Sequence, residues 1–230
     1  MRYPKILLDL EVQKDFFAPG GSCYSDRSAE AARNVRKLFA WVRRENIPVI
    51  STMLRVPAAH KGPLAPVPHC VEYTEGEQRL PGALAKRYID LGIRGSTDLP
   101  RDIFTQYQQV VFEKRYTDIF LHVRAERLLT ELRADTFIIC GAGSARGIVE
   151  AVVGLRHRGF NVVLAADAIL DLDDPNAEMA WLRMLAKGAI PLSTEELMLP
   201  GPPPRLRDKL AEQRVLATRP FVRRSSALAR

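Results

Sequence analysis

The chain reads as an α/β domain of three layers, with helices on both faces of a mostly parallel, doubly wound sheet. Short β-branched runs alternate with longer segments whose apolar residues recur every three or four positions. The short runs are continuously apolar, as strands buried on both faces are. At 230 residues and 47% hydrophobic content, the chain can bury one full core.

Ile6–Leu10 is the first expected strand, and Asp15–Gly21 breaks into a loop on its glycines and proline. From Ala29 to about Glu45, Ala32, Val35, Leu38, Phe39 and Val42 give an amphipathic helix, and Ile47–Thr52 a second strand. About Arg55 to Gln106 is irregular and proline-rich, and a loop of that length in a compact domain usually serves as a lid or subunit contact. Val110–Phe112 is a third strand, followed by a helix from about Val123 to Leu132. Thr136–Cys140 is a fourth strand, with a helix running to about Arg158. Asn161–Ala166, a helix over Asn176–Lys187 and the short strand Ile190–Leu192 complete the alternation.

Gly201-Pro-Pro-Pro204 is a stiff linker that divides the chain into a domain over residues 1–200 and a basic tail over 201–230. The tail holds eight Lys and Arg against two acidic residues, so it carries +6 of the net +7. The basic character therefore belongs to a tail and not to a groove, and nucleic acid is not expected as the main partner. Regulation through the tail by a nucleic acid or another anion is a minor alternative.

No run approaches the roughly 18 apolar residues of a membrane span, and Met1–Lys5 leads straight into a strand. A cytoplasmic protein without a signal peptide is the expectation. Cys23, Cys70 and Cys140 lack metal-type or redox spacing. Each is expected as a small buried hydrophobe in a reducing compartment.

The chemistry should centre on Thr136–Ala151, TFIICGAGSARGIVEA. A strand, a small-residue turn and a helix N-terminus aim free backbone N–H groups and a helix dipole into the turn. Glu11, Lys114 and this turn all fall at the carboxyl ends of strands, where open α/β sheets bind ligands.

Three separated stretches resemble the isochorismatase-like family, the cysteine hydrolase superfamily. Leu8–Gly21, LDLEVQKDFFAPGG, is similar to its strand-one motif of an acidic residue, x-Gln-x-Asp-Phe and Pro-Gly-Gly. Phe112–Phe120, FEKRYTDIF, resembles its lysine motif. Cys140 to Gly147, with the following helix and Asp167–Ile169, resembles its nucleophile turn. His69-Cys-Val71 with Thr74 and Gly76, and Ser193–Leu197, also look like family elements, so the resemblance spans about residues 5 to 198.

Amide-cleaving members use an Asp, a Lys and a Cys, in which the carboxylate takes the thiol proton and backbone N–H groups hold the oxyanion. Gln13 and Phe16 fix the acidic slot at Glu11. Asp9 would fit only with a two-residue slip, and by strand alternation it shares a face with Glu11. Glu in place of Asp moves the carboxylate by about 1 Å, a shift that can cost about a hundredfold in rate. Lys114 matches the lysine. The nucleophile slot, six residues beyond Gly141, holds Gly147, so the triad is degenerate and Asp-Lys-Cys amidase activity is not expected.

Nicotinamidase-like members bind metal through a Thr-x-Asp-x-His run, where this chain has Leu54 and Val56. His60 and His69 without a carboxylate partner make a poor site, and neither metal nor cofactor is expected.

True isochorismatases resemble this pattern, with a carboxylate, a lysine and a glycine in the cysteine slot. The resemblance implies a thiol-independent hydrolase of a small carboxylate or vinyl-ether substrate, with Glu11 as acid or base and Lys114 as its charge partner. Phe16 and the backbone of Ala142, Gly143 and Ser144 would bind the substrate, and Gly147 would leave it room. The alternative is a catalytically inactive member acting in ligand binding or assembly. Family resemblance also implies a homo-oligomer, with the 55–106 region as a shared pocket wall.

Overall fold

Strand β1 (Arg2–Leu10) lies at the centre of a seven-stranded sheet because its last five residues, Ile6–Leu10, are buried on both faces. The computed structural model describes residues 2–201, so the basic tail beyond Gly201 lies outside the described residues. The remaining strands are β2 (Val49–Leu54), β3 (Tyr88–Asp90), β4 (Gln109–Lys114), β5 (Arg133–Ala142), β6 (Asn161–Leu170) and β7 (Ile190–Leu192). Their spatial order is β3-β4-β2-β1-β5-β6-β7, and every pairing is parallel. The chain builds outward from β1 on one side, then returns to add β5 on the other. The switch point between β1 and β5 is where open α/β sheets place their ligand crevice.

The long helices are α2 (Ser28–Arg44), α4 (Val123–Glu131), α5 (Val149–His157) and α6 (Ala177–Ala186), with short helices α1 (Lys14–Phe17), α3 (Ile103–Gln106) and α7 (Thr194–Met198). Ile6, Leu8, Leu10, Ile50, Phe112 and Ile139 leave one face of the sheet and pack with Leu128, Leu129, Val152 and Leu155 of α4 and α5. α2 covers the other face with Val35, Leu38, Phe39 and Val42 buried, as its apolar spacing predicts. The first compact unit ends at Met198, two residues before the expected end of the domain, and a second begins at Leu199.

The long helices fall within a residue or two of their expected ends, and three short elements correct the sequence reading. The loop expected from Asp15 opens with α1, and the irregular 55–106 region contributes the edge strand β3 and the helix α3. β3 is three residues long and half exposed, so its sequence carries no two-face pattern. Backbone pairing to β4 defines it.

Leu10 and Gly141 are register partners, and a Cβ on Gly141 would lie 1.9 Å from the Leu10 carbonyl oxygen. Gly141 also has φ of 133°, so the end of β5 closes on β1 only with glycine there. Gly159 has φ of 82° but open space around it. Urea denaturation should therefore show Gly141→Ala losing about 3 kcal/mol or more, against about 1 kcal/mol for Gly159→Ala. Similar losses at both positions would remove the close-approach argument.

Candidate functional site

Glu11 follows β1 directly and has φ of 51°, a left-handed conformation that a non-glycine residue holds at a cost of about 1–3 kcal/mol. The next turn fixes it there. Glu11 N–H donates to Thr52 O (3.3 Å), and the Gln13 N–H donates to Glu11 O (2.8 Å). The Gln13 side chain accepts from Leu54 N–H (2.8 Å) and donates to Leu54 O (2.9 Å) and Glu77 O (2.7 Å). Gln13 thus clamps the turn to the end of β2.

This turn corrects the expectation that Asp9 and Glu11 share a face. Asp9 accepts from Ser51 and Glu11 accepts from Thr52 (2.5 Å), and these consecutive residues of β2 project to opposite faces. The left-handed residue breaks the period-two alternation. Glu11 thereby joins the face of Thr52 and Lys114, while Asp9 stays on the face covered by α2.

Lys114 ends β4, and its ammonium lies 2.7 Å from Glu11 Oε1 with both side chains wholly buried. It also donates to Tyr116 O and Thr117 O, at 2.8 Å each, which uses all three of its N–H donors. Glu11 Oε1 therefore carries two bonds. Glu11 Oε2 has no hydrogen-bond partner among the described residues. A Cβ built on Gly147 would stand 3.4 Å from this oxygen and 3.0 Å from Thr117 O. The unpaired oxygen thus faces the slot where the resemblance places a thiol.

Gly147 sits in a distorted turn, Ser144–Ile148, where Arg146 has non-helical angles (φ −128°, ψ −111°) before α5 begins. Ala142 is the last residue of β5. Gly143 donates its N–H to Leu170 O (2.9 Å), so this donor serves the sheet and not an anion, contrary to expectation. The buried Ser144 Oγ has no hydrogen-bond partner among the described residues. The wholly buried Phe16 ring packs on His69, with centroids 5.5 Å apart.

Asp9 is closed off. Arg79 holds it at 2.7 Å and Ser51 donates to it, while Ser51 in turn accepts from Gln109 (2.7 Å). Burial pushes its carboxyl up, against the opposing effects of Arg79 and Ser51. The Cys140 thiol lies near it, and burial, with the Asp9 charge adding to it, pushes that thiol well up. Burial does the same to Cys70, helped by Asp15 and Glu11. Neither cysteine is poised as a thiolate.

Two of the sequence stretches meet at Asp15. Its carboxylate accepts from Cys70 N–H (2.6 Å) and Ser22 N–H (3.1 Å), joining the Leu8–Gly21 stretch to the His69–Gly76 loop. Among the described residues, no group of three or more His, Cys, Asp or Glu is placed to hold a metal ion.

A seven-stranded parallel sheet with a carboxylate and a lysine at its switch point defines an α/β protein of the isochorismatase-like fold. The Isochorismatase domain family matches residues 5–196, and the chain belongs to that family. Solved structures agree in fold. The N-carbamoylsarcosine amidase of Thermoplasma acidophilum is 16% identical with a TM-score of 0.61, covering 87% of this chain and 100% of its own. The nicotinamidase of Bacillus subtilis is 16% identical at a TM-score of 0.62, with 83% and 99% covered. An isochorismatase family protein from Desulfovibrio vulgaris is 19% identical at 0.64, with 91% and 100% covered. No curated protein shows significant similarity to the sequence.

Sequence reasoning missed Thr52 and the carbonyls of Tyr116 and Thr117. The register of β1 on β2 would have found Thr52, since it pairs with Leu10 next to Glu11. The carbonyls leave no trace in residue type. Because Glu11 and Lys114 share no solvent, Lys114→Ala should cost about 3–5 kcal/mol by stranding a carboxylate. The double variant Glu11→Gln with Lys114→Met should recover most of that loss in urea denaturation. If it proves no more stable than Lys114→Ala, the pair is not the origin of the cost.

Proposed function

We propose that the protein is a thiol-independent hydrolase of a small carboxylate-bearing vinyl ether. Glu11 acts as the proton-transfer group and Lys114 as its charge partner. One observation carries this reading: among the described residues the buried oxygen Glu11 Oε2 has no partner, and it faces the space beside Gly147. A buried acceptor left unsatisfied costs free energy, and a substrate or water at the slot would satisfy it.

Vinyl-ether hydrolysis fits this arrangement. Glu11, carrying a proton on the otherwise unpartnered Oε2 when substrate is bound, gives it to the terminal vinyl carbon, and the C=C electrons form the new C–H bond. The adjacent carbon becomes an oxocarbenium ion, which water attacks as Glu11 recovers a proton. The resulting hemiketal collapses to a ketone and an alcohol. Lys114 and Thr52 keep the carboxylate fixed while its charge changes, so little reorganisation is needed during the step. Gly147 leaves room for the substrate, and the absence of a thiol costs nothing in such a reaction. The buried thiols, pushed up by desolvation, agree with a mechanism that does not use them.

A second reading, an inactive family member binding a ligand or supporting a homo-oligomer, is favoured by the saturated bonding of Lys114, which also suits a structural ion pair. Mass spectrometry of isochorismate and a panel of small amides separates the two. Isochorismate turnover is expected in the native chain, reduced by at least about a hundredfold in Glu11→Gln, in line with the usual contribution of acid–base catalysis. Amide turnover would contradict the thiol-independent reading, and no turnover at all would support the binding role.

A further inference from the structure

Beyond β2 the chain crosses the carboxyl end of the sheet as a strap between Val56 and Cys70, and one histidine holds it. The N–H of Leu64 donates to His69 Nε2 (3.2 Å), and His69 Nδ1 lies 2.8 Å from Val67 O. Since Nε2 accepts from a backbone N–H, it is unprotonated, and Nδ1–H is the donor to Val67. The His69 N–H adds a bond to Lys61 O (3.0 Å). Phe16 packs on one side of the wholly buried ring, and Gly62 approaches it so closely that a Cβ there would lie 2.5 Å from Nε2.

The strap reaches the site through Leu64. This side chain is 4% exposed, and its Cδ2 lies 2.9 Å from where a Cβ on Gly143 would be. Gly143 opens the turn that carries Ser144 and Gly147. Open space flanks the strap, with a cavity of about 490 Å³ beside Lys61, Pro63 and Arg115 and one of about 360 Å³ beside Pro63, Arg146 and Asp174. Lifting Leu64 therefore exposes one buried leucine side chain to this open space.

We infer that His69 is a proton-sensitive latch: neutral, it holds Leu64 down over the Glu11–Gly147 site, and protonated, it releases the strap. Protonation at Nε2 would set an N–H against the Leu64 N–H and abolish the bond. The inference rests on the proposed site as the thing gated, but not on its chemistry.

Burial holds His69 below its ordinary value, while the bond to Val67 and the charge of Asp15 on α1 oppose that shift. Among the described residues, Asp15 is the charged side chain that acts on the ring. A strap lifted into water restores the ordinary histidine value of about 6.5. The open state thus binds the proton more tightly than the closed one. Closure is at full strength above about pH 6.5 and weakens as pH falls through the lowered value of the closed state.

The test uses the full chain without substrate. Amide hydrogen exchange of Leu64, normalised to its intrinsic rate, is followed by NMR from about pH 7.5 to about pH 5, together with the titration of the His69 ring. The protection of Leu64 is expected to fall at least about tenfold, tracking the ring, and to stay level with pH in His69→Gln. Constant protection in the native chain while His69 titrates would overturn the latch, as would the same pH dependence in His69→Gln. Should that variant not fold, coincidence or divergence of the two native curves decides alone. No turnover enters, so the latch and the proposed hydrolysis can fail independently.

Discussion

A carboxylate and an ammonium with no access to water hold the carboxyl edge of this sheet together. In such a place the desolvation cost of two charges can exceed their attraction, so the pair persists only where further hydrogen bonds complete it. Lys114 meets that condition through two carbonyl oxygens of the loop that follows it. Glu11 meets half of it. One oxygen accepts from Thr52 and Lys114 and the other is left facing Gly147, and the backbone adopts a left-handed conformation at Glu11 to place it there. Strain and an unsatisfied acceptor at the same residue are the expected marks of a position shaped by function and not by stability.

The two acidic residues of the first strand region show how environment divides one chemistry into two roles. Asp9 lies within a closed network of Arg79, Ser51 and Gln109 on the α2 side of the sheet, and that network ties β1 and β2 to the Arg79–Ala85 segment. Glu11, two residues later, crosses to the opposite face at the strand end. A regular strand would have put both carboxylates on one face and left Lys114 without its partner. The Gln13 clamp on Leu54 therefore supports the Glu11–Lys114 pair although its side chain bonds to neither.

Much of the fold was legible because helical spacing and continuous apolar runs are local signals. The helix from Ser28 and the strands from Asn161 and Ile190 follow directly from them. The edge strand Tyr88–Asp90 was not, since its identity lies in backbone pairing to Gln109–Val111. At the site, residue type and motif spacing brought out Glu11, Lys114 and Gly147, which the fold gathers at one place. Conformation escaped that reading. Nothing in the letters around Glu11 announces a positive φ, and nothing in Gly143 announces that its N–H is committed to Leu170. His69 was legible as a histidine without metal partners, but its part in the strap depends on which backbone groups converge on the ring.

The account rests on carbon protonation by Glu11, and the product of turnover in deuterated water tests that most directly. Hydrolysis of isochorismate in D₂O should give a keto acid carrying one carbon-bound deuterium at its new methyl group, read by mass spectrometry and proton NMR at early times. A keto acid formed without carbon-bound deuterium would contradict the account, because the new hydrogen would not have come through an exchangeable acid.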